Sequence, residues 1–159
     1  MNLNKFLKNA EELKKENKKF LSQLKKKKAK DLDKQFHKAH QDVFKQTDCL
    51  DCANCCKTTS PIFKTRDIKR LAKHFRQSEP EFIANYLRQD DDHDFVLKSS
   101  PCVFLEDDNS CRIYEHRPDA CADFPHTDRR KMHQILDLTY ENTLVCPAVL
   151  DIVERLKMK

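Results

Sequence analysis

Apolar residues recur along the first 43 positions at steps of three and four, or sums of them: Leu3, Phe6, Leu7, Ala10, Leu13, Phe20, Leu21, Leu24, Leu32, Phe36, Ala39 and Val43. That period marks one face of an α-helix. No proline interrupts it before Pro61. The pattern predicts one continuous helix, about 60 Å long at 1.5 Å per residue, or two helices with a break within residues 25–30. Two shorter helices follow. Thr65 is placed to cap the first, with Ile68, Leu71, Ala72 and Phe75 on one face. Ser78-Glu79-Pro80-Glu81 is a capping box with proline in the first turn, opening a helix that buries Phe82, Ile83, Tyr86 and Leu87. Phe95-Val96-Leu97 reads as a short strand. Residues 102–105 and 111–114 read as the arms of a hairpin turned by Asp107-Asp108-Asn109-Ser110. Arg117-Pro118 starts a helical turn carrying Cys121. Residues 133–145 fit no single period, with a strand over 135–138 as one reading. Pro147 opens a last amphipathic helix with Val149, Leu150, Ile152, Val153 and Leu156 on its buried side. The run Asp90-Asp91-Asp92-His93-Asp94 lacks the spacing and glycine of a calcium loop and reads as a solvated turn.

Composition changes this picture in two ways. Of 159 residues, 38% are hydrophobic and 36% charged, a low apolar share for a domain that must fold on its core alone. Small polar domains commonly add metals or disulfides as staples. The expected architecture is therefore a small, mostly helical α+β domain over residues 46–159, with a short hairpin and a metal as its organiser. A basic amphipathic helical extension over residues 1–45 precedes it. Glycine is absent altogether. This excludes a P-loop, a dinucleotide-binding glycine turn and a nucleophile elbow. Backbone positions needing positive φ must use other residues, and Asn54, Asn109 and Asn142 are the candidates.

Charge is uneven. Residues 1–40 hold 13 lysines against 5 acids, whereas the whole chain is only +5, so the remainder is net acidic. Lys25-Lys26-Lys27-Lys28 has two readings: a patch for nucleic acid or anionic lipid, or the solvated face of a helix whose apolar stripe docks on the domain. No aromatic residues interleave these lysines, as single-strand binding would favour. The first residues contain no apolar leader, and no run of 18 apolar residues exists to span a membrane. A cytoplasmic protein with reduced thiols is the expectation, and there clustered cysteines point to metal or redox chemistry more than to disulfides.

Eight cysteines carry the chemistry: Cys49, Cys52, Cys55 and Cys56 within eight residues, then Cys102, Cys111, Cys121 and Cys146. Thiolates packed so densely repel one another unless a cation lies between them. The triplet Cys49-x2-Cys52-x2-Cys55 with a remote Cys146-Pro147 has the spacing that holds an iron–sulfur cluster in bacterial-type ferredoxins. Zn2+ accepts the same ligands in closed four-thiolate sites. Cys146 falls at a helix N-terminus, where the dipole favours a thiolate. Neighbouring side chains diverge, so Cys56 belongs to a different centre from Cys55. The simplest division is two sites, one of Cys49, Cys52, Cys55 and a distal residue, the other of Cys56 with three of Cys102, Cys111, Cys121 and Cys146. One four-ligand site with the remaining cysteines buried is the alternative. His116 and His126 are near enough in sequence to replace a cysteine or support one.

The run Cys49-Leu50-Asp51-Cys52-Ala53-Asn54-Cys55-Cys56 resembles the C-x-x-C-x-x-C-C signature of the YkgJ-type cysteine-cluster proteins. Pro101-Cys102-Val103-Phe104-Leu105 resembles their P-C-x-F-L step. The segment from Cys111-Arg112-Ile113-Tyr114 through Arg117-Pro118 to Cys121-Ala122-Asp123-Phe124-Pro125 resembles their C-x-I-Y-x-x-R-P-x-x-C-R-x-F-P segment. The resemblance covers roughly residues 48–147 and implies chelation of zinc or iron. Two positions depart from it: Ala53 stands where the family often has glycine, and Ala122 where it often has arginine.

Three functions follow as expectations. The first is an iron–sulfur or other metal-binding protein with a redox or cluster-dependent role. The second is a structural-zinc module binding a protein or RNA partner through its basic N-terminal helix. The third is an enzyme using Glu106, Asp123 or His126 beside an open metal position. It is the least favoured, because four sulfurs donate most of the charge a metal would otherwise lend to water.

Overall fold

The computed structural model describes residues 3–27 and 31–158. Among them are eight α-helices and one two-stranded antiparallel hairpin, a mostly helical α+β fold. The chain divides into two compact units. Unit 1 comprises residues 1–52 and 125–159, and unit 2 comprises residues 53–124.

Unit 1 contains α1 (Leu3–Lys27), α2 (Leu32–Phe44), α7 (Leu136–Thr143) and α8 (Pro147–Lys157). The long apolar pattern thus forms two helices; residues 28–30 lie outside the described residues. α1 packs on α7 and α8, and α2 packs on α8. The stripe of α1 buries Phe6, Ala10 and Leu21, and α2 buries Leu32, Phe36, Ala39 and Val43. Leu7 departs from the expected stripe and is 47% exposed. Val149, Ile152 and Val153 of α8 complete the core with Met132 and Leu136. The lysines between residues 5 and 26 consequently face solvent, where Lys8 pairs with Glu12, Lys14 with Glu11 and Lys25 with Asp137. Burying the same stripe to a second protein would require opening this core.

The segment before α7 is pinned by a polar row on α2. Asp33 accepts the Lys131 and Met132 amides at 2.7 and 2.8 Å. His37 meets Asp128, and His40 Nδ1 lies 2.8 Å from Thr127 Oγ1. The strand expected over 135–138 does not form. Leu136 instead begins α7, and the Thr139 amide and hydroxyl both return to the Ile135 carbonyl, at 2.8 and 2.9 Å. Leu136, Thr139, Asn142 and Thr143 are its buried positions, a helical spacing that includes polar residues and so escaped a hydrophobic count.

Unit 2 contains α3 (Asn54–Thr58), α4 (Thr65–His74), α5 (Glu79–Tyr86), β1 (Leu87–Gln89), β2 (Phe95–Leu97) and α6 (Asp119–Asp123). The hairpin pairs Leu87 with Leu97 and Gln89 with Phe95. Its turn is closed by the Asp90 carboxylate, which accepts the Asp92 and Asp94 amides at 3.0 and 2.9 Å. Ser78 caps α5 as the capping box predicts, and Glu81 reaches back to the Ser78 amide at 2.7 Å. Thr65 does not cap α4. It is the first helical residue, and the capping carboxylate is Asp67, which accepts the Lys64 amide at 3.0 Å. The core gathers Phe63, Ile68, Leu71, Phe82, Leu97, Phe104 and Ile113. Phe75 stacks against both Phe82 and Phe104, with ring centroids 6.0 and 5.7 Å apart.

The second expected hairpin reduces to one bridge, Leu105 opposite Cys111, flanked by amide bonds from Arg112 to Phe104 and from Glu106 to Ser110. The arms part because their next donors go elsewhere: the Cys102 amide to Cys56, and the Tyr114 amide back to Cys111. Of the three asparagines expected at positive φ, only Asn109 takes it. Asn54 begins α3, and Asn142 lies within α7. Ala53 itself is left-handed (φ 47°, ψ 22°), at a cost of about 1–2 kcal/mol for a residue with a Cβ.

Candidate metal centre

All eight cysteines are described, and none is in a disulfide. Among the described residues no three His, Cys, Asp or Glu side chains stand as a ready coordination shell. The groups below are defined by backbone tethers and by mutual electrostatic influence.

In unit 2, four thiols are tied to one another through the chain. The Cys102 amide donates to the Cys56 carbonyl at 2.8 Å. Cys111 is bridged to Leu105, three residues beyond Cys102. Cys121 sits in the single turn of α6, its amide donating to Pro118 at 2.9 Å. Burial pushes the Cys121 thiol up to about 12, with Cys56, Cys102 and Cys111 adding to the effect. Burial also raises Cys102, reinforced by Cys56 and Cys111, and raises Cys111, reinforced by Cys56. Cys56 is pushed far up by its hydrogen bond with Cys55, then by burial. The Cys55 and Cys56 sulfurs are 4.0 Å apart, so these neighbours adjoin rather than diverge as the sequence suggested.

In unit 1, Cys49 starts a 3-10 turn over Cys49–Asp51 and Cys52 ends it. The Asp48 carboxylate accepts the Leu50 amide at 2.9 Å. Cys146 is the N-cap of α8. Burial raises its thiol to about 11, and Cys49 and Cys52 add to the rise. The Val149 and Ala148 amides pull the other way. The helix start thus favours the thiolate as expected, but burial outweighs it. The grouping is Cys56 with Cys102, Cys111 and Cys121, and Cys146 with Cys49 and Cys52.

These surroundings fit a soft metal. The Phe104 amide favours the thiolate of Cys102, the Ile113 amide that of Cys111, and the Val149 and Ala148 amides that of Cys146. Backbone amides near a sulfur stabilise it as it gains negative charge. Arg117 and Arg112 favour the thiolate of Cys111, and Arg117 that of Cys121. Burial and neighbouring thiolates oppose the charge, and a bound cation removes that opposition.

The His116 ring packs on His74, with centroids 4.3 Å apart, and its carbonyl accepts from Arg70. His126 takes a left-handed backbone. Glu106 is exposed and pairs with Arg112 at 3.9 Å. Sequence reasoning missed Asp67 and Arg70, which lie behind the Cys111 and Cys121 segments. The available signal was a carboxylate in the third position of a helix.

Eight cysteines, none in a disulfide and all but Cys49 at least partly buried, make this a cysteine-cluster protein. The CxxCxxCC family model, described as "Putative zinc- or iron-chelating domain", matches residues 48–146, and the chain belongs to that family. No curated protein and no solved structure matches the chain. No described helix is long and apolar enough to cross a membrane.

Proposed function

We propose that the chain chelates iron or zinc through Cys49, Cys52, Cys55, Cys56, Cys102, Cys111, Cys121 and Cys146. Cys56, Cys102, Cys111 and Cys121 serve one centre and Cys49, Cys52 and Cys146 another; the eighth ligand, Cys55, lies beside Cys56 with the sulfurs 4.0 Å apart. The observation that supports this reading most is the backbone tether from the Cys102 amide to the Cys56 carbonyl at 2.8 Å, beside which Cys56 adds to the rise of the Cys102, Cys111 and Cys121 thiols. Bringing four such groups together costs stability unless a cation offsets it. An all-thiolate shell holds its metal closed, which favours a redox or structural role over activation of water. Between the two metals, the Cys49-x2-Cys52-x2-Cys55 spacing with Cys146-Pro147 favours iron in a cluster, and with it a redox or cluster-dependent role.

Elemental analysis and a visible spectrum of protein purified without oxygen test the reading. Iron, sulfide and a broad absorption in the visible are expected. Colourless protein holding stoichiometric zinc would eliminate the cluster and retain chelation. Folded protein free of both metals would eliminate chelation as well.

A further inference from the structure

We infer that Asp67, acting through Arg70, is a positioning residue that holds the Cys111 and Cys121 segments in register for metal binding in unit 2. This rests on the chelation reading above. Asp67 is fully buried, with 0% exposure, although it is a carboxylate in a helix whose neighbours Arg66 and Lys69 are exposed. A buried carboxylate is costly unless its oxygens are hydrogen-bonded. Here both oxygens accept. Oδ2 accepts the Lys64 amide at 3.0 Å, closing the start of α4. Oδ1 accepts Arg70 Nη2 at 2.6 Å and the Asp119 amide at 3.2 Å. Asp119 is the first residue of α6, two positions before Cys121.

Arg70 carries the connection back toward Cys111. Its Nε donates to the His116 carbonyl at 3.3 Å and its Nη2 to the Arg117 carbonyl at 2.9 Å. These two carbonyls lie midway between Cys111 and Cys121 in the chain. The Asp119 carboxylate lies 3.7 Å from Arg70 and also pairs with Arg66. One pair on α4, the buried Asp67 with the partly buried Arg70, thus fixes three points of the loop joining the two cysteines. The other ties of that loop are the buried Ile113, the His116–His74 ring contact, a 3-10 turn over Tyr114–His116 and the five residues of α6. Groups that hold ligands from outside the coordination shell commonly change metal retention 10- to 100-fold when altered. A cap for α4 alone would need only the bond to the Lys64 amide.

The test reads each cysteine separately. Full-length protein is reduced, loaded with Zn2+ and exposed to iodoacetamide, and the labelling rate of each cysteine is followed by peptide mass spectrometry. In Asp67→Asn, Cys111 and Cys121 are expected to label about tenfold faster, while Cys49, Cys52 and Cys146 keep the wild-type rate. Glu81→Gln, which loosens the cap of α5, serves as the control for lost stability. Unchanged labelling at Cys111 and Cys121, or an equal rise at all cysteines in both variants, overturns the inference. Should Asp67→Asn fail to fold, Arg70→Lys keeps the charge but loses the fork. A smaller rise at the same two cysteines then supports the inference, and none overturns it. If zinc protects no cysteine in the wild-type protein, chelation of zinc has itself failed and the inference falls with it.

Discussion

In unit 1 the core comes from helices of 8 to 25 residues, and side chains such as Phe36, Val149, Ile152 and Val153 are wholly buried. In unit 2 no described helix exceeds 10 residues, and the strands have three each. Short helices are marginal in water without tertiary packing. Unit 2 has a compact aromatic core around Phe82 and Phe104, but its segments from Leu105 to Phe124 are mostly turns. Apolar packing dominates in unit 1. Buried polar ties and, on the proposed function, a metal take over part of that work in unit 2.

Metal removal gives the largest expected contrast. With reductant and a chelator, amide hydrogen exchange should accelerate throughout residues 53–124. The amides of Phe36, Ala39, Ile152 and Val153 should remain protected. Structural zinc contributes on the order of 10 kcal/mol in small domains, more than a unit of this size retains on its own. Equal loss in both units, or loss in neither, would erase the distinction.

Ala53→Gly probes unit 2 alone. Its left-handed backbone suits glycine, and removing the Cβ should stabilise the metal-loaded protein by up to about 1 kcal/mol, less the extra entropy of the unfolded chain. The denaturant midpoint of unit 2, followed with the metal bound, reads this. A lower midpoint would mean that the Cβ is needed for packing.

The smallest effect concerns unit 1. Burial opposes ionisation of Asp33, but the amides of Lys131 and Met132, with His133 and Arg129 nearby, prevail and hold its carboxyl below the ordinary value. Its contribution is therefore present above the unfolded carboxylate pKa of about 3.9 and is lost as pH falls through the lower folded value. Wild type should be more stable than Asp33→Ala near neutrality, and the gap should narrow below about pH 4. A gap independent of pH would show that the ionised carboxylate is not what pins the segment.

The parts legible in the sequence are those set by local periodicity or by a strong cap. α1, α2 and α8 follow their apolar spacing, and α5 follows Ser78 and Glu81. The cysteine spacing and the family resemblance pointed to zinc or iron chelation, and the family model agrees. Less legible were features decided by distant partners. The residue types alone point to Asn54 rather than Ala53 for the left-handed turn; the one hint otherwise is the glycine that the family often has at Ala53. The Cys102 amide leaves its expected hairpin for Cys56, a residue 46 positions away in the chain. Asp67 resembles any helical surface acid until Arg70 and the Asp119 amide are seen to enclose it.

Unit 2 is one uninterrupted stretch, whereas unit 1 is assembled from both ends of the described chain. Emerging from the ribosome, residues 53–124 can fold as soon as they are clear of the exit tunnel, since domains generally fold as units during synthesis. Residues 31–52 must wait for α7 and α8. Cys121 appears 25 residues before Cys146, so ion capture by the nascent polypeptide would begin in unit 2. Cys49 and Cys52 meanwhile remain without Cys146 until residues 125–146 have been made.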